Sequence, residues 1–578
     1  MFLIWSHDRG FERACTDFDV DVGRFFQQQW ALVAAARDLV PFIASMLMFH
    51  KNQQANLLQT FLGLFFRGNG CSKRTIRMLS SACVCVSYDT TSNMLKYLTK
   101  VALETVREQV LNNPWMLVYD NINIANRKED QRKDNQDTFE SGMTATIIID
   151  EQLDELSSTI YDNTPLKLHE LIPDNNHLKA MHHFHISEVL QRYSDKFRQQ
   201  AVHMNKIDVL EVRPSVTFPL PTMNIDQSST AGNIEIVETV CVKMLKLERS
   251  WFEGKLVIVG GDQRTISRIN SAQEWRMTDI TRFDRLEWAL PAMQLFHLQM
   301  NLASTIFKAH YGSQSTEGSL AHFVACLDRR RLAFQSQDYR TLDEFLRIVF
   351  DAMVRTLWMR HLNAEDLSDE NLWVGARNVF QFIRDMVFYL ELCAAIKEGD
   401  IGRIERNYGK ELLKLTYGIR RLWAPKVKRA VMRSWLVNTS GRNDGWIPTD
   451  MFQEHTNRLI KSVHAATGSN MSWNYLAKSI SMNAHLFAEV DTRIDSEFDL
   501  SFDSYFHSEV SKESDIVLVI NEIRRLGILE HQSPQGIISG IQPVRNLFIE
   551  GMLKLISGGA NRLNDEGADD ENVEDESL

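Results

Sequence analysis

The chain has 578 residues, of which 44% are apolar and 24% are charged. This composition excludes an intrinsically disordered protein, and the length predicts three or four packing units, since folded domains usually hold about 100 to 200 residues. The net charge of −11 is uneven, because residues 565–576 carry eight acidic side chains and residues 1–564 have a net charge of only −3. The body of the chain is therefore compatible with a local basic surface for nucleic acid, and residues 561–578 are predicted to form an acidic disordered tail.

Cysteine usage and hydropathy indicate where the protein resides. The seven cysteines are scattered through the chain without a CxxC pair, which favours reduced thiols inside a cell. The most apolar stretch, residues 30–49, contains Arg37, Asp38 and Pro41, whose cost in hydrocarbon argues against a membrane span. We therefore expect a soluble intracellular protein without a membrane partner.

The N-terminal region, residues 1–110, has the apolar spacing that is typical of helices. Within it, residues 72–102 have the rhythm of two short helices around a turn, which resembles a helix-turn-helix with phosphate-binding side chains at its rim. The candidate DNA contacts of this segment are Lys73, Arg74, Arg77, Lys96 and Lys100. An ordinary helical hairpin is the alternative interpretation.

Two apolar runs predict a β-hairpin after these helices. Residues 115–120 form a short run that ends in Asp120, and residues 142–149 are rich in β-branched side chains. Such runs are typical of buried strands, and the charged loop between them predicts a hairpin-like start to a sheet. They begin a predicted core that covers residues 111–318.

The rest of this core is predicted to alternate helices with strands. Residues 153–209 are mostly helical in pattern, whereas the prolines and polar residues of 213–234 indicate an irregular excursion. Residues 255–262 form a second apolar run that ends in Asp262, and residues 288–297 supply a third run before another helix. Acids at the ends of buried strands lie where an open α/β sheet usually carries its chemistry.

The C-terminal half is predicted to be mainly helical. Apolar residues at helical spacing continue over residues 319–440, which predicts an all-helical insertion. A late core segment follows at 441–500, and residues 501–560 are predicted to form C-terminal helices.

The late core segment carries a third acid. Its turn-rich start makes Asp450 a candidate N-cap, with Gln453 three residues later. The helix that follows presents Glu454 beside Arg458 and Lys461, which are further candidate DNA contacts.

These acids suit the cleavage of phosphodiesters by two metal ions. That chemistry needs carboxylates that hold two cations about 3.5 to 4 Å apart, and hard oxygen ligands favour Mg²⁺ or Mn²⁺. Asp120, Asp262 and Glu454 fit the scheme as two acids at strand ends and one acid on a later helix. Each also has a structural explanation, because Asp262 could cap the next helix and Glu454 could pair with Arg458 on a helix surface.

Other motifs favour no competing chemistry. The cluster of His182, His183 and His185 lacks HExxH spacing and is explained by a partly exposed helix. His297 and Asn301 share a helical face that could approach the acids, although a core histidine explains His297 as well. The sequence contains no GxSxG, P-loop or GxGxxG motif, so serine hydrolase, NTPase and dinucleotide-binding functions lose their usual support.

Several phrases resemble landmarks of an uncharacterised, transposon-associated fungal domain family. They are VYDNIN, GDQRT, FHLQMN, GDIGRIE, and WLVN followed by PTDMFQEHTNRLIK, and the resemblance covers residues 70–550. Families of this kind are similar to DDE-type transposases, whose RNase H-like core carries an Asp on the first strand, an Asp on the fourth and an acid on a late helix. The resemblance thus implies an RNase H-like mixed sheet with a large all-helical insertion, and it implies metal-ligand and catalytic roles for Asp120, Asp262 and Glu454.

The resemblance also implies metal-dependent strand cleavage and transfer at transposon ends, a nuclear location and a homo-oligomer. Two features keep alternatives open. Asp120 and Asp262 are 142 residues apart, which is a long spacing, and Asp450 is the alternative third acid. A catalytically inactive, transposon-derived DNA-binding or interaction protein is therefore the second hypothesis, and a helical scaffold that binds no DNA is the third.

Overall fold

The computed structural model describes most of the chain between residues 40 and 529. The described residues are 40–126, 132–133, 136–150, 175–193, 197–199, 202–313, 316–335, 338–361, 374–408, 431–467, 472–497, 511–529 and 544. The predicted acidic tail at 561–578 lies outside them.

The centre of the protein is a mixed five-stranded β-sheet. Its strands are β1 (Trp115–Asn126), β2 (Thr138–Ile149), β3 (Val216–Pro219), β4 (Val257–Gly261) and β5 (Ala289–Met293). They lie in the order β3-β2-β1-β4-β5. β2 pairs antiparallel with both β1 and β3, whereas β4 runs parallel to β1 and β5 runs parallel to β4. The predicted α/β class and the predicted hairpin are therefore confirmed.

Helices pack on both faces of this sheet. Those before the sheet are α1 (Leu57–Gly68), α2 (Lys73–Ser81) and α3 (Tyr88–Asn112). Those within and after it are α4 (Asn175–Tyr193), α5 (Thr230–Glu238), α6 (Gln263–Trp275), α7 (Leu295–His310), α8 (Leu320–Cys326), α9 (Tyr339–His361), α10 (Val374–Glu398) and α11 (Ile401–Tyr408). A small hairpin of β6 (Leu436–Asn438) and β7 (Trp446–Pro448) precedes α12 (Thr449–Thr467), α13 (Ala484–Glu497) and α14 (Glu513–Arg525).

The register between β1 and β4 sets the relative height of two predicted acids. Val118 pairs with Gly260 in this parallel ladder, so Asp120 and Asp262, each two residues further on, lie at the same level. Side chains two residues apart point to the same face of a strand, and neighbouring strands lie about 4.8 Å apart. The two aspartates therefore start from adjacent backbone positions.

Alternation along β1 divides the core into two layers. Trp115, Leu117 and Tyr119 face a buried apolar cluster that α3, α5 and α6 complete. Met116 and Val118 face the opposite cluster, to which α7, α10, α11, the β6–β7 hairpin and α12 contribute. Asp120 points to the same face of β1 as Met116 and Val118, so it faces the layer that contains α7 and α12.

The helices of the C-terminal half form a further apolar core. Buried residues of α4, α7, α8, α9, α10 and α14 pack together in it. The described residues of 319–440 are mainly helical, as predicted, but β6 (Leu436–Asn438) lies within this range, so the segment is not all-helical. The domain boundaries stay predictions. Among the described residues, no helix is both long enough and apolar enough to cross a membrane.

The segment that resembles a helix-turn-helix does form two helices. Ser72 and Ser87 cap them, since their hydroxyl oxygens accept hydrogen bonds from the N–H groups of Thr75 (3.1 Å) and Thr90 (3.0 Å). Hydroxyl caps of this kind satisfy amides that a first helical turn leaves free. α2 and α3 share an apolar cluster with α12 and the end of β1.

One element of the sheet departs from the prediction. Residues 213–234 were expected to be irregular, but they contain β3, which pairs with β2 from Val216 to Pro219. β3 is short and lies at the edge of the described sheet, where a proline is tolerated because only one side of the strand needs hydrogen bonds.

Candidate functional site

Asp120 projects from β1 at the level where β4 ends. Only 8% of its surface is exposed. Burial, together with the charge and hydrogen bonding of the nearby Glu454 carboxyl, raises the pKa of Asp120 well above its ordinary value, although the positive charge of His297 opposes the shift. Two carboxyl groups that share a buried position tend to keep a proton between them. The sequence prediction that Asp120 and Glu454 converge is therefore met in the geometry.

Asp262 lies beside this pair and begins α6. Its Oδ1 accepts a hydrogen bond from the N–H of Thr265 at 2.7 Å, so it has the capping role that the sequence also suggested. The carboxylate oxygens of Asp120, Asp262 and Glu454 do not form a described group in which all lie within 4.8 Å of one another. The three acids therefore form a contacting pair, Asp120 with Glu454, and a flanking third acid at the end of the neighbouring strand.

Asp450, the alternative third acid, is engaged by a different helix. Its Oδ1 accepts from the N–H of Phe296 at 3.0 Å, and its Oδ2 accepts from the N–H of His297 at 2.9 Å. These two amides lie in the first turn of α7, which has no capping hydrogen bond from its own N-cap residue Gln294. Asp450 therefore caps α7, and Glu454 is the acid beside Asp120.

The prediction that Asp450 is the N-cap of its own helix is wrong. α12 begins at Thr449, so Asp450 is already within the first turn. From there its carboxylate accepts hydrogen bonds from two free amides of α7, and its Oδ1 also accepts from the N–H of Met451 in its own helix at 3.1 Å.

His297 connects Asp450 to the acid pair. Its Nδ1 lies 2.9 Å from Oδ2 of Asp450. Burial lowers its pKa, but the hydrogen bond to Asp450 and the negative charges of Asp450, Asp120 and Asp262 raise the pKa of His297 to about 9. A histidine with that pKa carries a positive charge at neutral pH, so His297 and Asp450 form an ion pair beside the acids.

A buried polar bridge holds α12 on the sheet. The hydroxyl of Thr146 donates to Oε1 of Gln453 at 2.6 Å, and Nε2 of Gln453 donates to Oγ1 of Thr144 at 2.9 Å. Thr144 in turn donates to Oδ1 of Asn457. Buried polar groups are costly unless each finds a partner, so this bridge defines how α12 is rotated against β2.

Asn457 links these hydrogen bonds to the acid pair of Asp120 and Glu454. Its Nδ2 donates to Oδ2 of Asp120 at 3.3 Å and to the carbonyl of Asn121 at 3.1 Å. Because Asn457 and Glu454 are three residues apart on one helix, they lie on the same face. The rotation that Asn457 imposes therefore also positions Glu454.

The acids supply only oxygen donors, which is the ligand type that Mg²⁺ and Mn²⁺ prefer. The elevated pKa of Asp120 gives a second indication, because a cation beside Asp120 and Glu454 would take the place of the shared proton. The residues present therefore fit a hard divalent cation, with Asp120 and Glu454 as the ligands in contact and Asp262 as the flanking one.

The basic side chains predicted to contact DNA lie on the surface. All seven are exposed, and they are Lys73, Arg74, Arg77, Lys96, Lys100, Arg458 and Lys461. Two of them contact nearby acids, since Lys73 Nζ lies 3.5 Å from Asp89 and Lys100 Nζ lies 3.9 Å from Glu104. Exposed pairs of this kind are weak, so they leave both lysines accessible to a phosphate.

The histidine cluster on α4 has a structural role, as the sequence suggested. Nε2 of His185 lies 2.8 Å from the buried carboxylate of Glu391, and Nδ1 lies 3.4 Å from Glu188. His182 instead contacts the carbonyl of Leu178 at 2.8 Å.

Sequence reasoning missed the polar bridge. Gln453 was considered only as part of a capping box, yet Gln453 and Asn457 are both buried. The available signal was the pair Thr144 and Thr146, which places two hydroxyl groups on one face of an otherwise apolar strand.

Fold and site together define a mixed α/β protein that carries an acid cluster beside the ends of parallel strands. The chain belongs to a family of unknown function, DUF6589, whose model matches residues 159–373 and 375–507. Asp262 and Glu454 lie within the matched residues, and Asp120 precedes them. No curated protein and no solved structure matches the chain.

Proposed function

We propose that the protein is a transposase-like enzyme that cleaves and transfers DNA strands, with Mg²⁺ or Mn²⁺ held by Asp120, Asp262 and Glu454. One observation carries the proposal: the Asp120 carboxyl on the first strand contacts Glu454 on a late helix, and Asp262 directly follows the neighbouring fourth strand. This is the arrangement that the resemblance to DDE-type transposases implies. The mixed sheet order β3-β2-β1-β4-β5 supports an RNase H-like core.

The role of each residue in this proposal follows from the contacts of its side chain. Two bound cations would supply activation of the attacking oxygen and stabilisation of the leaving oxygen. Asp120 would bind from a buried position and Glu454 from a half-buried one, while His297 adds a positive charge beside them and Asn457 orients the Asp120 carboxylate. The exposed Arg458 and Lys461 lie further along the helix that carries Glu454, where they could hold the DNA backbone.

A nicking assay tests this proposal. The full chain is incubated with supercoiled plasmid DNA and with duplexes that carry transposon ends, in Mg²⁺, in Mn²⁺ or in a chelator. We expect metal-dependent cleavage that Asp120→Asn, Asp262→Asn and Glu454→Gln each reduce by about 100-fold or more, the usual scale for removing one electrostatic catalytic group. Cleavage that survives Asp120→Asn at full rate would refute the assignment.

Two matched variants sharpen the assay. Asp444→Asn removes an exposed carboxylate shortly before α12, and we expect it to leave cleavage unchanged. Asp450→Asn separates the two candidates for the third acid, because Asp450 caps α7 and Glu454 contacts Asp120. If Asp450→Asn abolished metal binding while Glu454→Gln retained it, the third ligand would be Asp450.

A second function has its own support. Asp262 already caps α6, and the three acids do not all lie within 4.8 Å of one another, which favours a non-catalytic, transposon-derived DNA-binding protein. It predicts binding to DNA that weakens steeply with salt and depends on Lys96 and Lys100, without cleavage in any metal. Both functions carry the expectation of a nuclear protein, and strand transfer adds that of a homo-oligomer that joins two DNA ends.

A further inference from the structure

We propose that His322, Cys326 and Glu522 form a separate metal site, which takes Zn²⁺ and joins α8 to α14. The site lies in the helical half of the molecule, apart from the acids of the sheet. It does not depend on the proposed DNA chemistry, since none of its three ligands belongs to that site.

Helical spacing brings two of the ligands together. His322 and Cys326 are four residues apart on α8, so they lie on the same face, one turn above the other. Glu522 reaches them from α14. Cys326 Sγ lies 3.5 Å from His322 Nε2, His322 Nε2 lies 2.8 Å from Glu522 Oε1, and all three ligand atoms lie within 4.8 Å of one another.

These distances match what tetrahedral zinc requires. Bonds of about 2.3 Å to sulfur and 2.0 Å to nitrogen place those two atoms about 3.5 Å apart, which is the separation already present. The nitrogen and oxygen ligands need about 3.3 Å, so Glu522 has to withdraw by roughly 0.5 Å. A movement of that size is small for the Glu522 side chain, which is 18% exposed.

The ligand types select the metal. A thiolate and an imidazole favour zinc over Mg²⁺ or Mn²⁺, which prefer oxygen. Three protein ligands leave a fourth position for water, and Cys326 is exposed, so solvent and metal have access. The site therefore has the ligand number of an open zinc centre.

Neighbouring groups hold two of the ligands in place. Arg525 donates from Nη2 to Oε1 of Glu522 at 2.7 Å and from Nε to Oε2 at 2.8 Å. Ser319 caps α8 by accepting from the N–H of His322 at 3.2 Å. The contact of Arg525 with the Glu522 carboxylate is of the kind that orients a metal ligand and raises affinity, whereas the Ser319 cap fixes the backbone that carries His322.

The competing explanation is an ion pair of His322, Glu522 and Arg525 that involves no metal and gives Cys326 no function. Cobalt(II) distinguishes the two, because it occupies zinc sites and reports a bound thiolate through a near-ultraviolet charge-transfer band. The oxygen-only acids of the sheet cannot give that band. Titration of the reduced full chain with Co²⁺, followed by displacement with Zn²⁺, therefore separates a thiolate site from the acids of the sheet.

We expect one equivalent of Co²⁺ to produce the thiolate band and Zn²⁺ to abolish it. Cys326→Ser should remove the band, and His322→Ala should weaken Zn²⁺ binding by more than the roughly 10- to 100-fold that an outer contact contributes. Arg525→Met should keep the band and lower affinity within that 10- to 100-fold range.

A matched control uses another cysteine. Cys83 Sγ lies 3.8 Å from Nδ1 of His50, so it pairs a thiol with an imidazole in the N-terminal helices. Cys83→Ser should leave the band and the zinc affinity unchanged. The proposal is overturned if the wild-type chain gives no thiolate band, or if Cys83→Ser removes it and Cys326→Ser does not.

Discussion

Two buried groups of charged residues in this protein differ in how their charge is balanced. In the helical half, the Glu391 carboxylate accepts from Nε and Nη2 of Arg403 at 2.7 and 2.9 Å and contacts His185 at 2.8 Å. Glu391 and Arg403 are both 0% exposed. At the sheet, the buried Asp120 carboxyl has another acid, Glu454, as its neighbour.

The pKa values follow this difference. Burial raises the pKa of Glu391, but hydrogen bonds from His185 and Arg403 outweigh it and lower the pKa below its ordinary value. Burial and Glu454 together raise the pKa of Asp120. Charges that are fully paired stabilise a fold only as long as both partners remain. The acids at the sheet are balanced only in part, by His297, and incompletely balanced buried acids are candidates for a functional site.

Removing one partner of the buried ion pair between Glu391 and Arg403 should have the largest effect on stability. Arg403→Met leaves Glu391 buried beside fewer donors, so we expect the free energy of unfolding to fall by about 3 to 5 kcal/mol, measured by denaturant unfolding of the full chain. Arg330→Met is the control, because the Arg330 side chain is 84% exposed and pairs with the exposed Asp328, and it should change stability by less than about 0.5 kcal/mol. Equal effects of the two substitutions would contradict the comparison.

Binding of Mg²⁺ beside Asp120 and Glu454 should stabilise the protein. At a Mg²⁺ concentration of about 100 times the Kd, binding to the folded state alone adds roughly 2.7 kcal/mol, which a rise in Tm reports without any activity assay. Asp120→Asn removes the repulsion with Glu454, so we expect it to keep or raise the Tm in a chelator and to lose the Mg²⁺ response. Asp444→Asn should retain that response, and a Tm of Asp120→Asn that still rises with Mg²⁺ would show that the ion binds elsewhere.

The bridge between α12 and the sheet should have an intermediate effect. Thr144→Val keeps the shape of the side chain but removes a partner of Gln453 and of Asn457, so we expect a loss of about 1 to 3 kcal/mol. It should also weaken Mg²⁺ binding, since the bridge positions Glu454. Ser141→Ala, on the exposed part of the same strand, is the control and should change neither quantity.

The smallest expected effect is a dependence of stability on pH through His185. Burial lowers its pKa, but hydrogen bonds to Glu188 and Glu391 outweigh it, and the folded pKa lies above the ordinary value of 6.5. The proton is bound more tightly in the folded state, so this stabilisation is complete below pH 6.5 and is lost as pH rises through the folded pKa. Denaturant midpoints between about pH 6 and pH 9 should fall more steeply in the wild type than in His185→Gln, and parallel curves would contradict this.

The central strands were predictable because their signals are local. The runs before Asp120 and Asp262 are continuously apolar, as expected for strands covered on both faces, and both gave strands. β3 was missed because its four residues lie among prolines, and because its place depends on pairing with β2 rather than on its own pattern.

Local sequence patterns were not sufficient to choose between Glu454 and Asp450 as the third acid. A helix starting near Asp450 was predictable, but its rotation depends on Thr144 and Thr146, which lie more than 300 positions away from Gln453 and Asn457 in the chain. That rotation directs Glu454 to Asp120 and Asp450 to the amides of α7. The residues next to Asp450 in the sequence predict that it caps its own helix, because they contain no information about its contact with α7.

The long helical segment between β5 and α12 has a consequence for synthesis. Asp120 and Asp262 belong to strands that are complete early, whereas Glu454 follows Asp262 by 192 positions. A ribosome that adds about 5 to 20 residues each second needs roughly 10 to 40 s to cover that distance. A nascent or prematurely terminated chain therefore presents two of the carboxylates without the third, and the acid pair at Asp120 forms only after the last part of the core has left the ribosome.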